Sequence, residues 1–149
     1  MGLNFEKYAH EGNSFIKELS MNLGHPGETA RAGIILRAVM HTLRERISIG
    51  ESLNLVSQLP MFLKGIYVDN WEFNDRQSRI KTIEDFKDEV KRLQEQYGEQ
   101  QFDWELPTDE IIRVVFSTLN RYVSEGESED IIAQMPKELK ELFSEKAHR

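Results

Sequence analysis

The side chains best suited to chemistry in this chain are two glutamates set in matching frames. Ser48-Ile49-Gly50-Glu51-Ser52 and Ser124-Glu125-Gly126-Glu127-Ser128 share four of their five residues. Two carboxyls can divide acid and base work when one keeps its proton and the other does not. The spacing also has a quieter explanation. A Ser followed three residues later by Glu is a capping box: the Ser oxygen accepts from the N3 amide, and the Glu carboxylate reaches back to the Ser amide. Capping accounts for both glutamates without any reaction and is the preferred reading, each cap contributing about 1 kcal/mol. Thr82 with Asp85 has the same pattern. The four histidines, His10, His25, His41 and His148, form no HExxH or other paired ligand spacing. Surface or boundary positions are expected for them rather than a metal site. Absence of cysteine excludes thiol nucleophiles, disulfides and most structural zinc sites. No GxSxG and no Gly-rich phosphate loop occurs, and Gly24-His25-Pro26-Gly27 reads as a turn. No catalytic, metal-binding or cofactor-binding residue is assigned, so the chain is expected to be non-enzymatic and to need no cofactor.

Composition narrows the classes further. The 149 residues suit one domain, with 39% AVILMFWYC residues and 30% charged residues, polar but foldable. No apolar run reaches the roughly 18 residues a membrane span requires, and Met1–Gly12 shows no secretory pattern, so the expected compartment is the cytoplasm. Net charge is −7, with residues 1–74 holding 7 basic and 8 acidic groups and residues 75–149 holding 12 and 18. Duplex nucleic acid is bound by neutralising phosphates, which this balance disfavours. The stretch from Trp71 to Lys81 has aromatic and basic residues but only three cations against two acids. It is read as a linker whose Trp71 and Phe73 pack into a seam rather than as a base-stacking strip. The acids of residues 99–130 suit helix starts, where the helix dipole favours them.

The elements that would position these residues come as a duplication. A shift of 76 positions lays residues 37–67 over 113–143 without a gap, and 12 of the 31 pairs are identical, among them Arg37/Arg113, Glu51/Glu127, Gln58/Gln134 and Pro60/Pro136. Each half reads as helices. Phe5, Tyr8, Phe15, Ile16, Leu19 and Leu23 recur at helical spacing and stop at Gly24. A second helix is expected from about Glu28 to Ile47, with a stripe of Ile34, Ile35, Ala38, Val39, Leu43 and Ile47. Ile83, Phe86, Val90, Leu93 and Tyr97, then Ile111 through Val123, repeat this pair. Pro60 and Pro136 suit the start of a further short helix. The expected fold is all-α: a single domain over 1–149 made of two tandem pseudo-symmetric helical repeats, about 1–67 and 80–149, joined by a linker at 68–79 and packed as one bundle-like unit.

The run Thr42-Leu43-Arg44-Glu45-Arg46-Ile47, then Gln58-Leu59-Pro60-Met61-Phe62-Leu63-Lys64-Gly65-Ile66-Tyr67 and Trp71, resembles the first half of a bacterial family known as domain of unknown function 2267. Tyr122-Val123-Ser124-Glu125-Gly126-Glu127-Ser128-Glu129-Asp130 with Gln134-Met135-Pro136-Lys137-Glu138-Leu139 resembles its second half. The likeness runs from about Phe5 to Phe143. It implies an all-helical, two-repeat bacterial protein, and it implies no activity, cofactor or catalytic residue. Val68-Asp69-Asn70 is more polar here than the aromatic-rich version typical of the family.

The repeats differ most usefully at four positions. Ile49, Leu53, Met61 and Phe62 stand where the second copy has Glu125, Glu129, Lys137 and Glu138. The charged set marks these positions as solvent-facing, so the first set is a candidate extra apolar face. Burying four such side chains yields about 6–12 kcal/mol gross, against about 4–15 kcal/mol for association. Cover from within the chain, by Trp71, Phe73, Phe102 or Trp104, avoids that cost and ranks first. A protein partner, including a second copy, ranks next, and a small apolar ligand third. The expected function is thus a helical protein-interaction module, with no nucleic acid and no membrane partner. The alternative is a small-molecule binder or enzyme using the seam between repeats, where Arg37, Gln58, Trp71, Arg113 and Gln134 are the candidate residues.

Overall fold

Every regular element among the described residues is a helix. The computed structural model describes residues 4–72, 80–98, 106–123, 125–133 and 140. Expectations that rest on Phe73, Phe102, Trp104, Ser124, Gln134, Pro136, Lys137 and Glu138 lie outside them. The chain forms α1 (Phe5–Asn22), α2 (Thr29–Arg46), α3 (Ile49–Gln58), α4 (Met61–Val68), α5 (Ile83–Gln96), α6 (Thr108–Leu119) and α7 (Glu125–Ala133), with a 3-10 turn at Asn120–Tyr122.

The helix ends follow local chemistry. Asn4 caps α1 by accepting from the Lys7 amide at 3.0 Å. The same helix closes in a Schellman arrangement: the His25 amide donates to Ser20 O and the Gly24 amide to Met21 O. Gly24 sits at φ 86°, which the missing side chain permits. Thr82 and Asp85 form a complete capping box on α5. Ser48 caps α3 by accepting from the Glu51 amide at 3.1 Å. Pro60, with φ −65°, sits just before α4 and separates it from α3. The counterpart of α2 was expected to run to Val123, but α6 ends at Leu119 and the chain tightens into the 3-10 turn.

α2 is the centre of the molecule, packed against α1, α4, α5 and α6. Its expected stripe is too narrow. Ile34 is half-buried, while Leu36 and Met40, off the stripe, are fully buried, and every residue from Ala38 to Arg44 is buried. A helix apolar on most of its circumference belongs inside a core rather than on its edge. α5 is more one-sided: Phe86, Val90 and Leu93 face inward, with charged residues opposite. Phe15, Leu19 and Leu23 of α1, Leu63 and Tyr67 of α4, and Ile111, Ile112 and Val115 of α6 complete one continuous core. α3 lies against α4 on one side and α7 on the other. Side-chain contacts tie α1 to the second half: Asn22 Nδ2 donates to Thr118 Oγ1 at 3.1 Å, Arg121 pairs with Glu18, and the Phe15 and Tyr122 ring centroids lie 5.9 Å apart.

Candidate functional site

Of the proposed contact face, Ile49, Leu53 and Met61 are open to solvent, at 41%, 58% and 50% exposure, and Val68 of α4 joins them. Phe62 does not. It is half-buried beneath α1, its ring centroid 5.7 Å from that of Phe15 and its side chain against Gly12. Met61 also borders an open groove of about 370 Å³, whose sides include Gly33, Arg37, Gly65 and Asp69. On the second half, Glu129 is exposed.

The seam residues fall into separate places. Arg37 pairs with Asp69, joining α2 to the end of α4, and its guanidinium lies 4.9 Å from the Tyr97 ring centroid. Arg113 is held within its own helix by Glu110, at 2.5 Å, and by Asp109. Trp71 packs edge-on against Tyr67 at 5.7 Å, near the Arg44 guanidinium. Gln58 reaches Glu127 on α7, its Nε2 donating to Oε1 at 3.4 Å.

His41 departs from the expectation of a surface or boundary position: it is 2% exposed. Its Nε2 lies 2.7 Å from the Ile66 carbonyl, which can only accept, so Nε2 carries the proton. Nδ1 is then the acceptor for the Tyr97 hydroxyl at 2.7 Å. Burial lowers the His41 pKa to about 4, with the nearby Arg44 and Arg37 charges adding to the effect. A neutral histidine with both nitrogens engaged is a tie between α2, α4 and α5. Beside it, Arg44 caps the end of α4, donating to the carbonyls of Tyr67, Asp69 and Asn70. Below Arg44, the Tyr67 hydroxyl meets Ser52 Oγ at 2.7 Å.

The two glutamates of the matching frames meet. Glu51 projects from α3 and Glu127 from α7, and with Asp130 their carboxyl oxygens lie within 4.8 Å of one another. Glu127 is 7% exposed, Glu51 is half-buried and Asp130 is exposed. Burial raises the Glu127 pKa to about 7, reinforced by its hydrogen bond to Glu51 and by the charges of Glu51 and Asp130, while Gln58 opposes the rise. Glu127 is thus the carboxyl of the two that is held protonated towards neutrality. With Asp130 the pair is also the one grouping among the described residues whose ligating atoms are close enough for a metal ion. Such acidic groups are common without one.

Between α2, α3, α6 and α7 lies an apolar cavity of about 50 Å³. Met40, Leu43, Leu55, Phe116 and Ile131 form much of its wall. Ser128 and Asn120 add a polar edge, the Ser128 hydroxyl donating to Asn120 Oδ1 at 2.8 Å. At about 15 Å³ per water, the space suits about three waters or a short alkyl group.

Residues 12–142 match the family described as "Uncharacterized conserved protein (DUF2267)". The chain belongs to that family. The match spans both frames and every described helix from α2 to α7, so the carboxyl pair, the His41 tie and the exposed α3–α4 face all fall inside the family's domain. No curated protein matches the chain.

Two features escape a linear reading. The meeting of Glu51 and Glu127 was visible only as a matched pair of positions, which local capping already explained. Arg44 carried no signal beyond its place in a mostly apolar helix.

Proposed function

We propose that the protein is a non-catalytic helical interaction module that binds protein through the exposed apolar surface of α3 and α4, its first partner being a second copy of itself. The observation that carries this reading is the exposure of Ile49, Leu53, Met61 and Val68 on two consecutive helices. A two-fold contact presents the same patch twice. Eight side chains are then available, each already about half covered, and their remaining burial yields about 6–12 kcal/mol. The cost of association, about 4–15 kcal/mol, is incurred once. The balance supports a weak and reversible dimer, suited to an adaptor whose assembly follows its concentration. The second half serves mainly as scaffold, its corresponding Glu129 being charged and exposed.

Nitrogen-15 NMR over a dilution series tests this reading. Amide shifts that move with concentration at Ile49, Leu53, Met61 and Val68, and stay fixed on α5 and α6, support it. Shifts independent of concentration throughout remove it.

A second reading, a small-molecule binder, draws support from the apolar cavity between α2, α3, α6 and α7. Thermal unfolding with a panel of short-chain alcohols and amines tests it, and a Tm unmoved by every compound counts against it.

A further inference from the structure

α3 meets two different surroundings. Ile49 and Leu53 are exposed, whereas Leu55, with Leu59 just after the helix, is buried and helps to wall the cavity between α2, α3, α6 and α7. Parts of that wall are pinned from outside. Tyr67 of α4, fully buried, is tied by its hydroxyl to Ser52 Oγ at 2.7 Å and packs edge-on against Trp71. The Ser128 hydroxyl donates to Asn120 Oδ1 at 2.8 Å, joining α7 to the 3-10 turn. A wall held in this way relaxes only partly into the space beside it.

The lining divides by chemistry. Met40, Leu43, Leu55 and Ile131 are apolar. A water among them would find none of the two to four polar partners it needs, so an alkyl group is the better occupant there. Ser117, Asn120 and Ser128 supply the polar edge, and Ser117 is exposed, so this edge reaches the surface. None of the described residues lining the cavity carries a charge. An ionised head group would therefore leave water without compensation, which a neutral one avoids. Ser128 directs its proton to Asn120, and its oxygen keeps lone pairs for a donor. The lining thus complements a short apolar chain that ends in a neutral hydroxyl. Size sets the length of the chain. A dry apolar cavity of about 150 Å³ accepts benzene, so a space of about 50 Å³ suits about three carbons.

Resting on the small-molecule reading of this cavity, we propose that its ligand is a primary aliphatic alcohol of about three carbons. The chain lies among Met40, Leu43, Leu55 and Ile131, and the hydroxyl donates to Ser128 Oγ at the polar edge.

Methyl NMR titration of the full chain tests this, with propan-1-ol and its apolar isostere 1-chloropropane as probes. Propan-1-ol should shift the Met40, Leu43, Leu55 and Ile131 methyls saturably and leave those of the outward Leu53 unmoved. Ser128→Ala should weaken propan-1-ol about five-fold, the loss of one hydrogen bond, and leave 1-chloropropane unchanged. Intermolecular NOEs on the wild type provide the same test should the variant fail to fold. The propan-1-ol methyl should contact Leu43 and Ile131, and its C1 protons Ser128. A variant that affects both probes equally or neither, or NOEs with the reverse orientation, overturns the alcohol assignment and leaves the cavity as a binding site. So does saturable binding of 1-chloropropane alone. No saturable shift with either probe overturns the assignment together with the small-molecule reading itself.

Discussion

His41 and Glu127 are buried ionisable groups with opposite effects on stability. Folded His41 titrates at about 4 against 6.5 for an ordinary histidine. Its contribution is complete above pH 6.5 and is lost as pH falls towards 4, because the unfolded chain takes up a proton that the folded one refuses. Glu127 titrates at about 7 against 4.5. Its contribution is complete below pH 4.5 and is lost as pH rises towards 7, because here the folded state holds the proton. Each separation corresponds to about 3 kcal/mol over its full range. Between pH 4.5 and 6.5 the two slopes oppose, so wild-type stability should be nearly flat there. Urea unfolding of His41→Gln should expose the Glu127 slope, with stability increasing as pH falls from 7 to 4.5. The Glu127→Gln protein should show the reverse and should exceed the wild type in stability at pH 8. Variants that keep the wild-type profile would contradict both assignments.

At the level of the helix, Arg44 illustrates how an element is finished by a residue from elsewhere. α4 has only eight residues and no cation in its last turn, and its end is closed by the guanidinium of α2. Arg44→Met preserves much of the stem packing but leaves the carbonyls of Tyr67, Asp69 and Asn70 without that donor. A loss of about 2–3 kcal/mol in chemical denaturation is expected, and a loss below 0.5 kcal/mol would show that water replaces the guanidinium freely. Most of the helices themselves were legible in the chain. The 3–4 spacing of α1, α5 and α6, the stop at Gly24 and the Thr82–Asp85 box each rest on neighbours in sequence. What sequence left hidden depends on partners far along the chain. His41 is buried because α4 and α5 close over a side of α2 that carries no apolar stripe. Phe62 is covered because α1 crosses it at Gly12. Glu51 and Glu127, 76 positions apart, satisfy a local capping pattern equally well whether or not α3 and α7 meet.

On the scale of the whole molecule, the 76-position shift is a property of the sequence, and it can be set beside the helix starts. α3 and α7 begin at Ile49 and Glu125, positions paired by the shift of 76. Ile49, Leu53 and Met61 are exposed, and the sequence has Glu125, Glu129 and Lys137 at the positions 76 residues on. The family match extends over residues 12–142 and assigns no activity. Among the described residues no helix is long and apolar enough to cross a membrane, so the exposed apolar side chains of α3 and α4 do not belong to a spanning segment. Their cover is the question on which the proposed function turns. Leu53→Glu with Met61→Lys installs the residue types that the second half bears at these positions, and both sites are exposed enough to accept charge without disturbing the core. The most direct measurement is light scattering after size exclusion on the wild type and this double variant, from micromolar to millimolar protein. The wild-type mass should rise from 17.4 kDa towards twice that value with concentration, and the double variant should stay at 17.4 kDa with an unchanged Tm. A wild type that remains at 17.4 kDa throughout, or a dimer that the double variant leaves intact, would contradict the proposed function.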